Sequence, residues 1–340
     1  MTTMKKITIS DVAKHANISK STVSQYLNER YEYMGEQTKQ RIHESIIELG
    51  YSPNYLARSL KQKKTFTIGI MVANILHGFS TKVIRAIEDA CNEENIHTIV
   101  CNTDEDPEKE QKYMEMLQAK QVDGFIVFPA GENAKVYQRM LEQNTPLVFI
   151  DRIMSDLKID TVLMDNERAS ELAVENFAKH GHEKLAVATP ELKPYMTPRL
   201  ERLSGFKKAL QTNNLPVKED YLISENLDSL QERLQHVFTM EDPPTAMLAN
   251  NDLTLVEMLE FFKKSNIRLP DDISIIGIDD VPFANVYHPG ITTIEQPAFK
   301  IGKKAAELLF DQINDTASEP EVYRFAPKLF ERESVKTLDE

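Results

Sequence analysis

The chain has 340 residues, a formal net charge of −13 and 41% hydrophobic residues, enough for two or three domains that each bury a core. Its longest apolar runs, such as FTIGIMVANIL at 66–76, are too short to cross a bilayer. No apolar signal core opens it, and Cys91 and Cys101 lack metal-ligand spacing, so a cytoplasmic protein with reduced thiols and no membrane partner is expected.

Charge is segregated along the chain. Residues 1–64 hold 11 Lys+Arg against 6 Asp+Glu, and the remainder holds 29 against 47. A basic head on an acidic body implies that only the head meets a polyanion. Binding to DNA should then be salt-dependent, with a slope set by head contacts rather than by net charge.

The first predicted helix follows Thr8, an N-cap that Asp11 can complete as a capping box, and Asn17 tolerates the left-handed turn that ends it. Ser19 caps a second helix, KSTVSQYL, with Ile18 and Val23 as a hydrophobic staple. Two short helices joined by about three residues form a helix-turn-helix. Val23 and Leu27 turn inward, which leaves Lys20, Ser21, Ser24, Gln25 and Asn28 free to reach bases and phosphates. A third helix carries Ile42, Ile46 and Leu49 and stops at Gly50. The basic stretch 51–65, YSPNYLARSLKQKKT, is either a solvated linker or a segment that orders on DNA and wedges Leu60 into the minor groove.

From residue 66 the pattern becomes alternating α/β. FTIGIMV, IHTIVCN, DGFIVFP and PLVFI read as buried strands, with helices near 79–94, 107–120 and 133–143. KLAVAT, YLIS, TAMLAN and ISIIGID form a second series, with helices near 166–180, 199–213, 228–239 and 252–265. Two such series predict two doubly wound parallel sheets that bind ligands beyond the strand C-termini. The residues placed there are Asn74, Phe79 and Ser80, then Asp104, Asp151 and Arg152, then Arg199 and Arg202, and finally Asn250, Asn251, Asp252 and Asp279. Carboxylates, amides and guanidinium groups suit hydroxyls and anions, yet Asp and Asn after a strand also serve as plain helix caps.

The head motifs TISDVAKHANISKSTVSQYLN, T-K-x-R-I and LGYSPNYLARSL together resemble the DNA-binding head and hinge of LacI/GalR-type bacterial repressors. The resemblance implies base reading by Lys20, Ser21 and Gln25, and phosphate contacts from Thr8, Ser19, Thr22, Ser24 and Asn28. It further implies a hinge helix using Asn54, Ala57, Arg58 and an intercalating Leu60. Positions 20, 21 and 25 depart from the usual family set, which leaves the operator sequence open. The body resembles the family's periplasmic-binding-protein-like core. That resemblance implies that Arg202 in LERLSGFKKAL is the effector-gripping arginine, that Asn251 and Asp252 in PTAMLANNDLTLVEML border the pocket, that Asp279 faces the ligand and that Asp151 falls on a family pocket aspartate. Phe79 is retained from a family aromatic motif, whereas Ser80 stands where a second aromatic is common, implying a ligand more polar than a flat purine.

The resulting expectation is an all-α helix-turn-helix head at 1–50, a hinge at 51–65, and an α/β effector and dimerisation body at 66–340. Exchange of strands between lobes, also implied by the resemblance, puts one lobe at about 66–162 plus 294–322 and the other at about 165–291 plus 326–340. The expected function is a homodimeric repressor on a near-palindromic double-stranded operator, with DNA affinity controlled by a small sugar or sugar-acid effector through population shift. Within the family, STVSQYLNERYEYM and the start of the body resemble regulators of 2-keto-3-deoxygluconate and pectin catabolism. Rival expectations are a catabolite-control regulator with a phosphorylated carrier protein as corepressor, and a solute-binding protein. No cofactor, metal or enzymatic activity is expected. His180 and His182 lack companion ligands, and no phosphate-cradling glycine motif or nucleophile elbow is present.

Overall fold

The computed structural model describes residues 7–28, 30–52, 64–131 and 133–338. It divides into two compact units, Met1–Thr65 and Phe66–Glu340.

The first unit contains α1 (Ile9–His15), α2 (Lys20–Leu27) and α3 (Glu36–Leu49). The Asp11 carboxylate accepts from the Thr8 backbone N–H at 2.8 Å and the Thr8 hydroxyl at 2.6 Å, which fixes the entry to α1. Asn17 takes φ 52° and turns the chain into α2, where the Ser19 hydroxyl accepts from the Thr22 N–H at 3.1 Å. Val12, Val23 and Ile42, one from each helix, are fully buried against one another. Burying a side chain of that size stabilises by about 1.5–3 kcal/mol. Ile46 and Leu49 are only half-buried; Ser45 is the other buried residue of α3, its hydroxyl donating to the Arg41 carbonyl. The hinge expectation for Asn54, Ala57, Arg58 and Leu60 falls outside the described residues.

The second unit holds two six-stranded sheets built from tandem βα units. The first series runs β1 (Thr67–Val72), α4 (Gly78–Glu93), β2 (His97–Asn102), α5 (Pro107–Ala119), β3 (Gly124–Val127), α6 (Ala134–Glu142), β4 (Leu147–Ile150) and β5 (Asp160–Met164). The second runs α7 (Asn166–Lys179), β6 (Leu185–Thr189), α8 (Thr197–Thr212), β7 (Leu222–Ser224), α9 (Leu227–Phe238), β8 (Ala246–Ala249), α10 (Asp252–Lys264), β9 (Ser274–Ile278) and β10 (Thr292–Glu295). The chain then returns through α11 (Ala298–Ile313), β11 (Val322–Phe325) and β12 (Lys328–Phe330).

The strand orders are β11-β5-β4-β3-β1-β2 and β12-β10-β9-β8-β6-β7, all parallel except the antiparallel β10–β12 pair. Near-continuous apolar strands such as TIGIMV and SIIGI follow from burial on both faces. Each order reverses direction beside its first strand, between β1 and β3 and between β6 and β8, which opens a crevice at the carboxyl ends.

The chain passes between sheets after β5, between β10 and α11, and between β11 and β12. Two expected lobe limits need correction. Ile294 and Glu295 belong to the second sheet, because β10 pairs with β9 and β12. The first lobe extends past 322 through Phe325, because the whole of β11 pairs with β5.

Candidate functional site

In the head, Lys20, Ser21 and Gln25 are exposed on α2, while Thr22, Ser24 and Asn28 are half-buried. The Ser19 hydroxyl lies 2.7 Å from both the Ser21 and the Thr22 hydroxyl, so three hydroxyls cluster where α2 presents its free N–H groups. That is a chemistry suited to phosphate oxygens. Asn28 donates its amide to the Ser24 carbonyl at 2.5 Å, and the Thr8 hydroxyl is engaged by Asp11.

In the body, a cavity of about 70 Å³ lies where the carboxyl ends of the two sheets face each other. The first lobe lines it with Asn74, Phe79, Ser80 and Asp151; the second lines it with Arg199, Arg202, Asn251 and Asp279. Phe79 meets Phe128 edge to face at 6.2 Å, giving one wall an apolar surface.

Asp151 and Asp279 occupy equivalent places in the two lobes, each just after a central strand and each at positive φ, 70° and 86°. Their N–H groups continue the ladder to Val162 and Ile294 at 3.0 and 2.9 Å. The left-handed kink therefore redirects the chain without losing a backbone hydrogen bond. Such conformations cost roughly 1–3 kcal/mol in non-glycine residues and collect at functional sites. Burial raises the pKa of both carboxyls, opposed in each by the Arg202 charge.

Arg202 is buried, donating Nε to Asn166 Oδ1 at 2.9 Å and Nη1 to the Asn250 carbonyl at 2.7 Å. Burial lowers its pKa against the pull of Asp279, Asp151 and Asp252, and a guanidinium keeps its charge regardless. Asn251 caps α10 by accepting from the Thr254 N–H at 2.9 Å, so the helix-cap alternative raised by its position holds alongside its place in the lining.

Three further features depart from the sequence pattern. Asp252 is outside this lining, since its carboxylate accepts from His77 Nδ1 at 2.6 Å and from the Gly78 N–H at 3.0 Å, bridging the two lobes. Asp104 is exposed and paired with Lys109, and its neighbour Glu105 lines the cavity instead. Both residues have positive φ, and the Glu105 N–H is tied to the Ala73 carbonyl at 2.9 Å. Arg199 reaches the cavity already engaged, with Nη1 on the Glu191 carbonyl at 2.9 Å and Nη2 on Glu105 at 3.1 Å.

The pattern also left out His77, Gln296 and Phe128, and gave no role to Asn250 beyond its place after a strand. Asn250 Oδ1 and Gln296 Oε1 are buried and have no hydrogen-bond partner among the described residues. With Asp151 and Asp279, they make the cavity rich in acceptors.

Residues 8–54 match the family model for bacterial regulatory proteins of the lacI family, and residues 174–335 match that for a periplasmic binding protein-like domain. The "Probable HTH-type transcriptional regulator EndR" of Paenibacillus polymyxa is 46% identical over 337 residues, 98% of this chain and 99% of that protein. The HTH-type transcriptional regulator KdgR of Bacillus subtilis (strain 168) is 32% identical over 337 residues, 96% of this chain and 97% of its own length. The lac repressor dimer bound to operator and the anti-inducer ONPF shares the fold, with a TM-score of 0.84 at 23% identity over 98% of this chain and 100% of that chain. With whole-length relatives at this identity, a helix-turn-helix head and two parallel-sheet lobes, the chain belongs to the lacI family of transcriptional regulators.

Proposed function

We propose that this regulator is a homodimeric, cytoplasmic repressor of carbohydrate or sugar-acid catabolic genes, released from or driven onto a near-palindromic operator by a small polyhydroxylated effector. The observation that carries the effector class is the acceptor-rich cavity: Asp151, Asp279, Asn250 Oδ1 and Gln296 Oε1 beside the Phe79–Phe128 wall. Asn250 Oδ1 and Gln296 Oε1 are buried acceptors without donors, which is costly; sugar hydroxyls supply donors, and an aromatic face takes the apolar side of a ring. Arg202 would hold a hydroxyl, a ring oxygen or a carboxylate from the opposite side. In the head, Lys20, Ser21 and Gln25 would read base edges, and the Ser19–Ser21–Thr22 hydroxyls would hold phosphates.

The cavity is lined from both lobes, so an effector bound there would contact both at once. Effector and operator then favour different lobe arrangements, and each changes the affinity for the other by the same factor.

The deciding experiment is a thermal-shift screen of the full chain against sugars, sugar acids and sugar phosphates. A ligand at about 100 times its Kd adds roughly 2.7 kcal/mol of apparent stability. A hit that also changes operator affinity supports the proposal. A screen with no hit overturns the small-effector version, and co-purification with a phosphorylated carrier protein would put a protein corepressor in its place.

A further inference from the structure

Glu105 is the one acid in the cavity lining that holds two arginines. Its Oε1 accepts from Arg152 Nη2 at 2.7 Å and from Arg199 Nη2 at 3.1 Å, and Oε2 lies 3.2 Å from the same Arg199 nitrogen. Arg152 comes from the end of β4 in the first lobe and Arg199 from α8 in the second. Each is anchored a second time on a backbone carbonyl, Arg152 on Pro129 at 2.8 Å and Arg199 on Glu191 at 2.9 Å. Two guanidinium groups fixed from behind and converging on one oxygen form an oxyanion fork, and the chain's own carboxylate fills it. Although burial alone would push the Glu105 carboxyl up, the charges of Arg152 and Arg199 bring it below its ordinary value, so it stays ionised near neutral pH.

This pairing changes which ligands the cavity can take. With the converging Nη2 groups of Arg152 and Arg199 taken by Glu105, Arg202 is the lining arginine without an ion pair, and its charge interacts with those of Asp279 and Asp151. An anionic group entering beside Arg202 would meet those two carboxylates as well. We propose that Glu105 is a specificity-determining residue: it acts as a resident anion in the Arg152–Arg199 fork, and so excludes sugar phosphates from the effector site. This inference rests on reading the interlobe cavity as the effector site.

The test compares the full-length wild type with Glu105→Gln, Glu105→Asp and the double variant Glu105→Gln/Arg199→Ala, using inorganic phosphate at constant ionic strength as the probe. Wild type and Glu105→Asp should show no phosphate-dependent rise in Tm. Glu105→Gln should gain one, with at least tenfold tighter phosphate binding by calorimetry, and the double variant should lose that gain. Phosphate binding to wild type as tight as to Glu105→Gln, no gain in Glu105→Gln, or a gain that survives loss of Arg199 would each overturn the proposal. Should Glu105→Gln not fold, stabilisation of the wild type by any sugar phosphate does the same. The phosphate arm needs no knowledge of the natural ligand, so its failure is separable from a wild type that no sugar stabilises.

Discussion

At the scale of single residues, Arg202 has the most consequences. It donates to Asn166 and to the Asn250 carbonyl, and its charge is set between Asp151 and Asp279. Arg202→Ala removes two charge-assisted hydrogen bonds, each worth about 1.5–3 kcal/mol, and the positive charge that opposes the raised pKa of Asp151 and Asp279. The expected outcome is a lower Tm and no effector response, while operator affinity at permissive temperature stays within about threefold of wild type by fluorescence anisotropy, since one factor of ten is 1.4 kcal/mol. An equal loss of operator binding would count against Arg202 as an effector ligand.

His182 makes a different prediction, one about acid stability. Its ring is buried, with Nδ1 3.0 Å from the Thr245 hydroxyl and Nε2 3.0 Å from the Lys336 carbonyl. The carbonyl can only accept, so Nε2 carries the proton and Nδ1 accepts from Thr245. Burial drives its pKa down to about 4, below the unfolded value of about 6.5. Its contribution is therefore fully present above pH 6.5 and is lost as the pH falls toward 4, because the unfolded chain takes up the proton first. Chemical denaturation at pH 7, 6, 5 and 4 should show this slope in the wild type, reduced in His182→Gln.

At the scale of elements, helix packing depends on two glycines. A Cβ on Gly205 would stand 2.6 Å from Glu167 Cα, where α8 crosses α7, and one on Gly302 would stand 2.7 Å from the Val83 carbonyl, where α11 crosses α4. The obstacle in both cases is backbone, which cannot rotate aside. Gly205→Ala should cost about 1–3 kcal/mol by overpacking, and about 2–4 °C of Tm per kcal/mol in a domain of 150–250 residues. Calorimetry showing an unchanged Tm would mean that the helices separate at no cost.

The same elements show what could be read from the sequence. Strands β1, β3, β4, β6, β8 and β9 were legible because burial on both faces makes them continuous apolar runs, while β2 and β7 lie at sheet edges and were read from short apolar stretches alone. In contrast, β10 is Thr-Thr-Ile-Glu, and its buried hydroxyls are satisfied, Thr292 by the Arg332 N–H and Thr293 by Asp280. Nothing in that composition separates it from a loop. The sequences of β11 and β12 alternate or carry charge because they lie at sheet edges, and β5 opens with an aspartate. Helix α11 was legible in principle, since Ile301, Ala305, Leu308 and Leu309 follow a helical period. Within the site, Asp151 and Asp279 follow obvious strands. Glu105 instead reaches the cavity through two successive left-handed residues, and no residue type announces that geometry.

At the scale of the whole body, polar contacts join the lobes. They include the ion pairs His77–Asp252, Glu105–Arg199 and Arg324–Glu201, the Gly78 N–H to Asp252, Lys82 Nζ to the Asp280 carbonyl at 3.2 Å, and the Ile153 N–H to the Thr197 hydroxyl at 2.9 Å. Of these, His77–Asp252 is the pair that contains a histidine, the side chain whose ordinary pKa lies nearest neutral pH. Burial opposes the charged imidazolium, but the hydrogen bond and charge of Asp252, with smaller help from Asp279 and Glu105, more than offset it and raise the His77 pKa. The Asp252 carboxyl is correspondingly held low, by His77 and by the Gly78 and Leu253 N–H groups, against burial. A raised histidine pKa means that the ion pair's contribution is complete below about pH 6.5. It is lost as the pH climbs through the higher value of the closed form. Whichever ligand requires the closed form should therefore bind more weakly from about pH 6.5 upward. Titrating that ligand by calorimetry between pH 5.5 and 8.5 should show the decline in the wild type and a flatter profile in His77→Gln. By linkage, operator affinity measured with the effector present should move in step with that profile. A wild-type profile as flat as that of His77→Gln would remove the His77–Asp252 pair from the closing equilibrium and leave Glu105–Arg199 and Arg324–Glu201 as the ion pairs between the lobes.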